Sequence, residues 1–173
     1  MAKHYYCSLA LMALLVFPAC GGEKILARAE VPNSIIPQAE VRLIERGTEV
    51  VVQSVIETRF PGKVRKKITK SERENWLGNS EMETYIAALE EAFAEYAKQK
   101  KGTTLSIDFI SGPGGTRIDF NFSSATVWRS LPLSAAYVQK NQEYILADAF
   151  GKQSPAVIQT LRNLNPMDKP HAE

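Results

Sequence analysis

The sequence predicts an α+β fold, in which a four-stranded antiparallel sheet made of two β-hairpins carries helices on one face. Three observations support this class: a run rich in β-branched residues over 48–60, apolar residues at helical spacing after residue 80, and apolar–polar alternation over residues 103–110 and 116–127. The expected order of elements is ββα–ββα–α, and a sheet with helices stacked on one face forms a two-layer sandwich.

The first predicted hairpin lies in the N-terminal half. Residues 48–60 (TEVVVQSVIETRF) are typical of a strand, and Pro61-Gly62 matches the central pair of a type II turn. Residues 63–70 (KVRKKITK) are then expected to return as the second strand. Upstream, Pro37 at a first helical position and Gly47 as a stop predict a short helix over 37–46, with a strand as the alternative for VRLIE.

The second half contains the clearest helix and the clearest hairpin. Ser80 to Glu83 (SEME) form a capping box, and the apolar spacing that follows predicts a helix ending at Gly102. The strands 103–110 and 116–127 place apolar side chains on one face only, which predicts an antiparallel hairpin packed on one side: Leu105, Ile107, Phe109, Ile118, Phe120 and Phe122. Two more helices are expected over 132–150 and 155–164.

The N-terminus predicts export. Residues 7–17 form an apolar run without charge, and Pro18 ends it. The run is well short of the roughly 20 residues that span a bilayer, so it fits a secretory signal peptide over 1–19 better than a transmembrane helix. Residues 20–36 are then expected to be a tether, residues 37–165 a single α+β domain, and residues 166–173 a disordered tail.

Residues 16–22 (VFPACGG) resemble the lipobox of bacterial lipoproteins. Ala19 and Cys20 match that motif, whereas Phe17 stands where the family prefers Leu, and Pro18 is unusual beside it. The resemblance implies that Cys20 is lipidated and becomes the N-terminus, so that a membrane is a partner through the N-terminal lipid. It covers only the first 22 residues and implies nothing about the domain behind them.

The residues around and after Cys20 bear on where the protein is located and on where its leader is cut. In a source with two membranes, Gly21 after Cys20 implies an outer-membrane lipoprotein facing the periplasm. Two other signal-peptidase cuts stay open, after Ala27-Arg28-Ala29 or after Ala19-Cys20-Gly21, and either would release a soluble secreted protein.

Composition excludes several classes of function. The chain has 21 Lys and Arg against 19 Asp and Glu, and loss of a leader that contains Lys3 leaves 20 against 19. A near-neutral domain has no field that attracts nucleic acid. Cysteine occurs only at Cys7 and Cys20, and histidine only at His4 and His171. We therefore expect no disulfide framework, no cysteine nucleophile, no thiolate metal site, no Ser-His-Asp triad, no metal, no cofactor and no enzymatic activity.

Asp108 and Asp119 form a candidate site for acid–base chemistry or ligand binding. They flank residues 111–115 (SGPGG), a loop that precedes a strand and therefore reads as a hairpin turn rather than a phosphate cradle. Two carboxylates on one polar face could share a proton, act on a glycan or hold a cation. Arg117 and Asn121 beside them predict a solvated face, on which nothing raises the pKa of either acid for catalysis.

One charge cluster is a second candidate site. It could bind anionic headgroups or an acidic partner, and its alternative role is to protect an edge strand from aggregation. Its members are Lys63, Arg65, Lys66, Lys67 and Lys70.

The sequence as a whole predicts an exported, lipid-anchored envelope protein with a non-catalytic role in protein interaction or assembly, and another envelope protein as its partner. The alternatives are a periplasmic or surface module that binds a small ligand, glycan or cation through Asp108 and Asp119, and a carboxylate-based hydrolase.

Overall fold

The computed structural model describes residues 22–31, 39–58, 61–63 and 80–165. Strands are β1 (Glu23–Val31), β2 (Ala39–Arg46), β3 (Glu49–Glu57), β4 (Thr104–Gly112), β5 (Gly115–Phe122) and β6 (Arg129–Pro132). The helices are α1 (Ser80–Tyr96), α2 (Ala135–Phe150) and α3 (Ser154–Leu164), with short 3-10 turns at Pro61–Lys63 and Gly151–Gln153.

All the described strands join one antiparallel sheet of six strands, in which strand order follows chain order from β1 to β6. The α+β class and the antiparallel sheet are confirmed, but the predicted number of four strands is wrong. The observed order of elements is βββα–βββαα, because each half of the chain contributes three strands.

The extra strands lie where the sequence predicted other structure. Strand β1 occupies residues 23–31 of the predicted tether, and a bulge between Ile25 and Ala27 breaks the alternation that would have revealed it. Strand β2 replaces the helix predicted over 37–46 and confirms the strand that was the alternative for VRLIE, since pairing with β1 and β3 along its length outweighs a local helix-start signal. Strand β6 is only four residues long and lies beyond the end of the strand predicted over 116–127, and its last residue, Pro132, was predicted as the start of a helix.

The first predicted hairpin is wrong although its first strand exists. Strand β3 matches the predicted strand, but Pro61–Lys63 is a 3-10 turn instead of a type II turn. Both edges of β3 are occupied, by β2 and by β4, so no edge is available for residues 63–70. Residues 64–70 lie outside the described part of the chain.

The second hairpin and the helices lie where the sequence predicts them, although β5 ends at Phe122 rather than at residue 127 and α2 begins at Ala135 rather than at residue 132. Strands β4 and β5 pair with Phe109 opposite Ile118, and their apolar side chains are buried on the face that α1 and α2 cover. On α1, the ring of Tyr85 packs edge-on against Phe109 at 5.7 Å and lies 6.4 Å from the ring of Tyr137 on α2. Burial raises the pKa of Tyr137 to about 12.

A tyrosine fixes the end of α1 to the sheet. The helix ends at Tyr96 rather than near Gly102, and the Tyr96 side chain is fully buried. Its Oη accepts a hydrogen bond from the Thr58 backbone N–H at 3.2 Å and donates to the Thr103 carbonyl at 2.9 Å. Burial of the phenol raises the pKa of Tyr96. One hydroxyl therefore joins the exit of β3, the end of α1 and the entry to β4.

Removing this hydroxyl should destabilise the fold. We expect Tyr96→Phe to lower the free energy of unfolding by about 1–2 kcal/mol, because the substitution keeps the ring but removes the hydroxyl that joins Thr58 and Thr103. Urea denaturation monitored by circular dichroism measures the change. Tyr144, which is 63% exposed on α2, provides the matched control, and Tyr144→Phe should change the free energy little. Equal effects of the two substitutions would contradict the role of the Tyr96 hydroxyl.

Candidate functional site

The face of the sheet opposite α1 and α2, here called the polar face, carries both candidate aspartates. Strand register places polar side chains of all six strands in one row across this face: Arg28, Arg42, Gln53, Asp108, Asp119 and Ser130. Asp108 and Asp119 lie on one face of the hairpin, as predicted, and the register makes them direct cross-strand partners.

Asp108 is buried, and the predicted solvation of this face is wrong at its centre. The residue is 1% exposed, and its Oδ1 accepts a hydrogen bond from Gln53 Nε2 at 2.9 Å. Its Oδ2 accepts one from Arg46 Nη2 at 3.3 Å. Burial raises the pKa of Asp108 above its ordinary value, while the Gln53 hydrogen bond and the Arg46 charge act in the opposite direction.

Asp119 has a separate set of partners. It is 7% exposed; its Oδ2 accepts from Arg117 Nε at 3.1 Å and its Oδ1 from Ser130 Oγ at 2.5 Å. Arg117 Nη1 also donates to Glu49 Oε1 at 2.7 Å, and this hydrogen bond is the main reason that the pKa of Arg117 is raised. The register thus brings the two aspartates together, but each carboxylate is held by its own arginine.

The network continues to the edge of the sheet through residues that the sequence analysis missed. Arg42 donates from Nε to Glu40 Oε1 at 2.7 Å and from Nη1 to Gln53 Oε1 at 3.3 Å. The Arg42 hydrogen bond is the largest cause of the lowered pKa of Glu40, which also pairs with Arg28 on β1. The signal for these residues was present, because residues 40–43 (EVRL) alternate polar and apolar like a strand.

Three aliphatic side chains on the polar face are also buried. Ile44, Val51 and Ile110 are direct cross-strand neighbours, and each is 0% exposed. Arg46 reaches from β2 to Asp108 on β4, and Arg117 reaches from β5 to Glu49 on β3, so both arginines cross a strand that carries one of the three. The prediction that the second hairpin packs on one side only is therefore wrong at Ile110.

This arrangement fits a structural role better than catalysis or cation binding. Every side-chain oxygen of Asp108 and Asp119 already accepts a hydrogen bond, and arginine charges stand where a cation would have to bind. Within the described ranges, no three His, Cys, Asp or Glu residues are grouped to hold a metal ion. In the same ranges, every buried side-chain nitrogen or oxygen has a hydrogen-bond partner.

The remaining candidates are only partly described. The SGPGG loop is a hairpin turn between β4 and β5, as predicted, and Gly115 takes a positive φ of 101° there. In the basic cluster, Lys63 ends the 3-10 turn Pro61–Lys63, whereas Arg65, Lys66, Lys67 and Lys70 lie outside the described residues. Cys20 also lies outside them.

Comparisons of the chain with protein-family models, with curated proteins and with solved structures gave no match. Of the helices in the described ranges, none combines the length and the apolar character that a membrane crossing requires.

The buried carboxylate predicts a specific pH dependence of stability. Because the pKa of Asp108 is raised in the folded state, the folded protein binds this proton more tightly than the unfolded chain does. The contribution of this group to the free energy of unfolding therefore falls as pH rises through its folded pKa and recovers as pH decreases toward 3.8, its ordinary value.

We expect the stability of the native sequence relative to Asp108→Asn to increase as pH decreases from neutral toward that ordinary value. Urea denaturation of both proteins over this range measures the difference. The same substitution at the exposed Asp148 controls for loss of one negative charge. A constant difference, or one that shrinks toward acid pH, would contradict the burial of an ionised Asp108.

Proposed function

We propose that the chain is an exported, lipid-anchored protein of a cell envelope, with a non-catalytic role in binding or assembling another envelope protein. In a source with two membranes, it faces the periplasm from the outer membrane. The observation that carries the proposal is the start of β1 at Glu23, directly behind the lipobox-like residues 16–22.

The position of β1 favours an early cut of the leader. A cut after Ala29 would remove seven of the nine residues of β1, together with the ion pairs Glu23–Arg46 and Arg28–Glu40. A cut before Cys20 leaves the strand whole, and so does a cut after Gly21. Of these two, only the cut before Cys20 matches the lipobox-like pattern.

A lipid on Cys20 would hold the sheet close to the membrane. Only Gly21 and Gly22 separate Cys20 from the first residue of β1. Three Cα–Cα steps span at most roughly 11 Å, so the first strand has little freedom to leave the lipid surface. The tether expected over residues 20–36 would have allowed about twice that distance.

The state of the two aspartates argues against both acid–base catalysis and cation binding at this site. Acid–base catalysis needs a carboxyl group that meets its substrate, whereas Asp108 is buried and ion-paired and Asp119 is held by Arg117 and Ser130. The hydrolase and cation-binding alternatives would require these partners to be displaced.

The anchor is tested by Cys20→Ser with Cys7→Ser as the matched control. We expect the native protein and the Cys7→Ser variant to be processed and to fractionate with membranes, because Cys7 lies within the leader. Cys20→Ser should lose the acylated N-terminal peptide seen by mass spectrometry and should leave the membrane fraction or remain unprocessed. Unchanged processing and fractionation of Cys20→Ser would refute lipidation.

The partner is tested by chemical cross-linking in intact envelopes, followed by identification of the attached protein. An assembly role predicts a reproducible product that contains a second protein species. Recovery of this chain alone or linked only to itself, while established complexes in the same sample are trapped, would contradict that role.

A further inference from the structure

Strand β1 forms one edge of the sheet. It pairs with β2 on one side, and no described strand pairs with its other side. The bulge between Ile25 and Ala27 separates its first residues from Ala27–Val31, here called the seam segment, which pairs regularly with β2. An unpaired, regular edge is a template for another strand.

The charges of the seam segment are poorly matched within one copy. Arg28 lies directly opposite Arg42, and Glu30 directly opposite Glu40, and like charges in such positions are destabilising. Arg28 is compensated by its ion pair with Glu40. Glu30 is exposed, and none of the ion pairs among the described residues includes it. A cation on the open side of β1 would compensate Glu30.

We propose that two copies of this chain pair through their seam segments, antiparallel, about a two-fold axis at Ala29. Arg28 of each copy then lies opposite Glu30 of the other copy on the polar face. Ala27 lies opposite Val31 on the helix-covered face, where both are partly buried. The interface is isologous, so each of these pairs occurs twice, and the two sheets become one.

The charges select this register over its neighbours. Because side chains alternate between faces, a permitted shift moves the opposing residue by two positions. One such shift puts Arg28 opposite Arg28, and the other puts Glu30 opposite Glu30. If the charges of this edge strand served only to prevent pairing with another copy, like charges would be expected to meet in every register. Here opposite charges meet in the register centred on Ala29, and the bulge lies outside it.

Arg28 can serve both copies at once. Its Nη2 donates to Glu40 at 3.2 Å and its Nε contacts the same carboxylate, which leaves Nη1 without a partner among the described residues. A guanidinium group has five N–H donors, so Nη1 can reach Glu30 of the second copy while the contact with Glu40 persists. The network of the polar face would then continue across the axis.

Charge exchange tests the pairing on the full chain in mild detergent, with native mass spectrometry to distinguish homodimers from heterodimers by mass. We expect the native sequence to form a dimer. Arg28→Glu and Glu30→Arg should each weaken self-association at least tenfold, since two opposite-charge pairs become like-charge pairs. An equimolar mixture of the two variants should form a heterodimer, and the variant with both exchanges should form a homodimer again.

Lys100→Glu, an exposed charge reversal in the turn before β4, is the control and should leave the dimer intact. Unfolding curves show whether each variant is folded. Arg28→Glu could unfold because its ion pair with Glu40 is lost. In that case the dimer is tested with Glu30→Arg and Glu30→Gln, since Glu30 has no ion pair in the described ranges. A monomeric native protein, dimers unaffected by the exchanges, or folded variants that fail to form the heterodimer would each overturn the proposal. None of these outcomes depends on lipidation of Cys20.

Discussion

One buried carboxylate organises much of this sheet. A charged side chain that leaves water must be paired and hydrogen-bonded, or it costs several kcal/mol. Asp108 on β4 meets this requirement with Gln53 from β3 and Arg46 from β2. Arg46 in turn binds Glu23 at the start of β1, so the demands of a single aspartate reach the edge of the sheet. The Arg46–Asp108 contact also places an arginine side chain across β3, which carries the buried Val51.

Local sequence predicted the parts of the fold in which local signals suffice. The alternation around Phe109 and Ile118 correctly identified the β4–β5 hairpin, and the capping box at Ser80 correctly located the start of α1. Strand β1 was missed and β2 was only the alternative to a helix, because pairing defines both strands: β2 has a helix-start signal before it, and β1 carries a bulge. A prediction from local sequence does not include the hydrogen-bonded pairing of strands whose residues are far apart in the chain.

The candidate site shows the same division between local and distant information. Alternation placed Asp108 and Asp119 correctly on one face, and the register makes them direct partners. It could not show that the face is buried at its centre, because Arg46 lies 62 residues before Asp108 and Glu49 lies 68 residues before Arg117. Charged neighbours such as Arg117, which led us to expect a solvated face, are themselves the groups that pair with the carboxylates and shield them from water. A charged residue beside an aspartate therefore indicates an ion pair as readily as it indicates water.

The edge strand connects the two proposals. In the pairing about Ala29, each Glu23 lies six residues from the axis, about 20 Å along the strand, so the two Glu23 residues are about 40 Å apart. They lie at opposite ends of the seam because the strands are antiparallel. Lipids attached three residues before each Glu23 can enter one membrane only if the seam runs along the membrane surface. An anchored dimer would therefore lie with its central strands parallel to the bilayer. A monomer held by one lipid has no such constraint, so dimer formation would determine which surfaces of the domain face a partner.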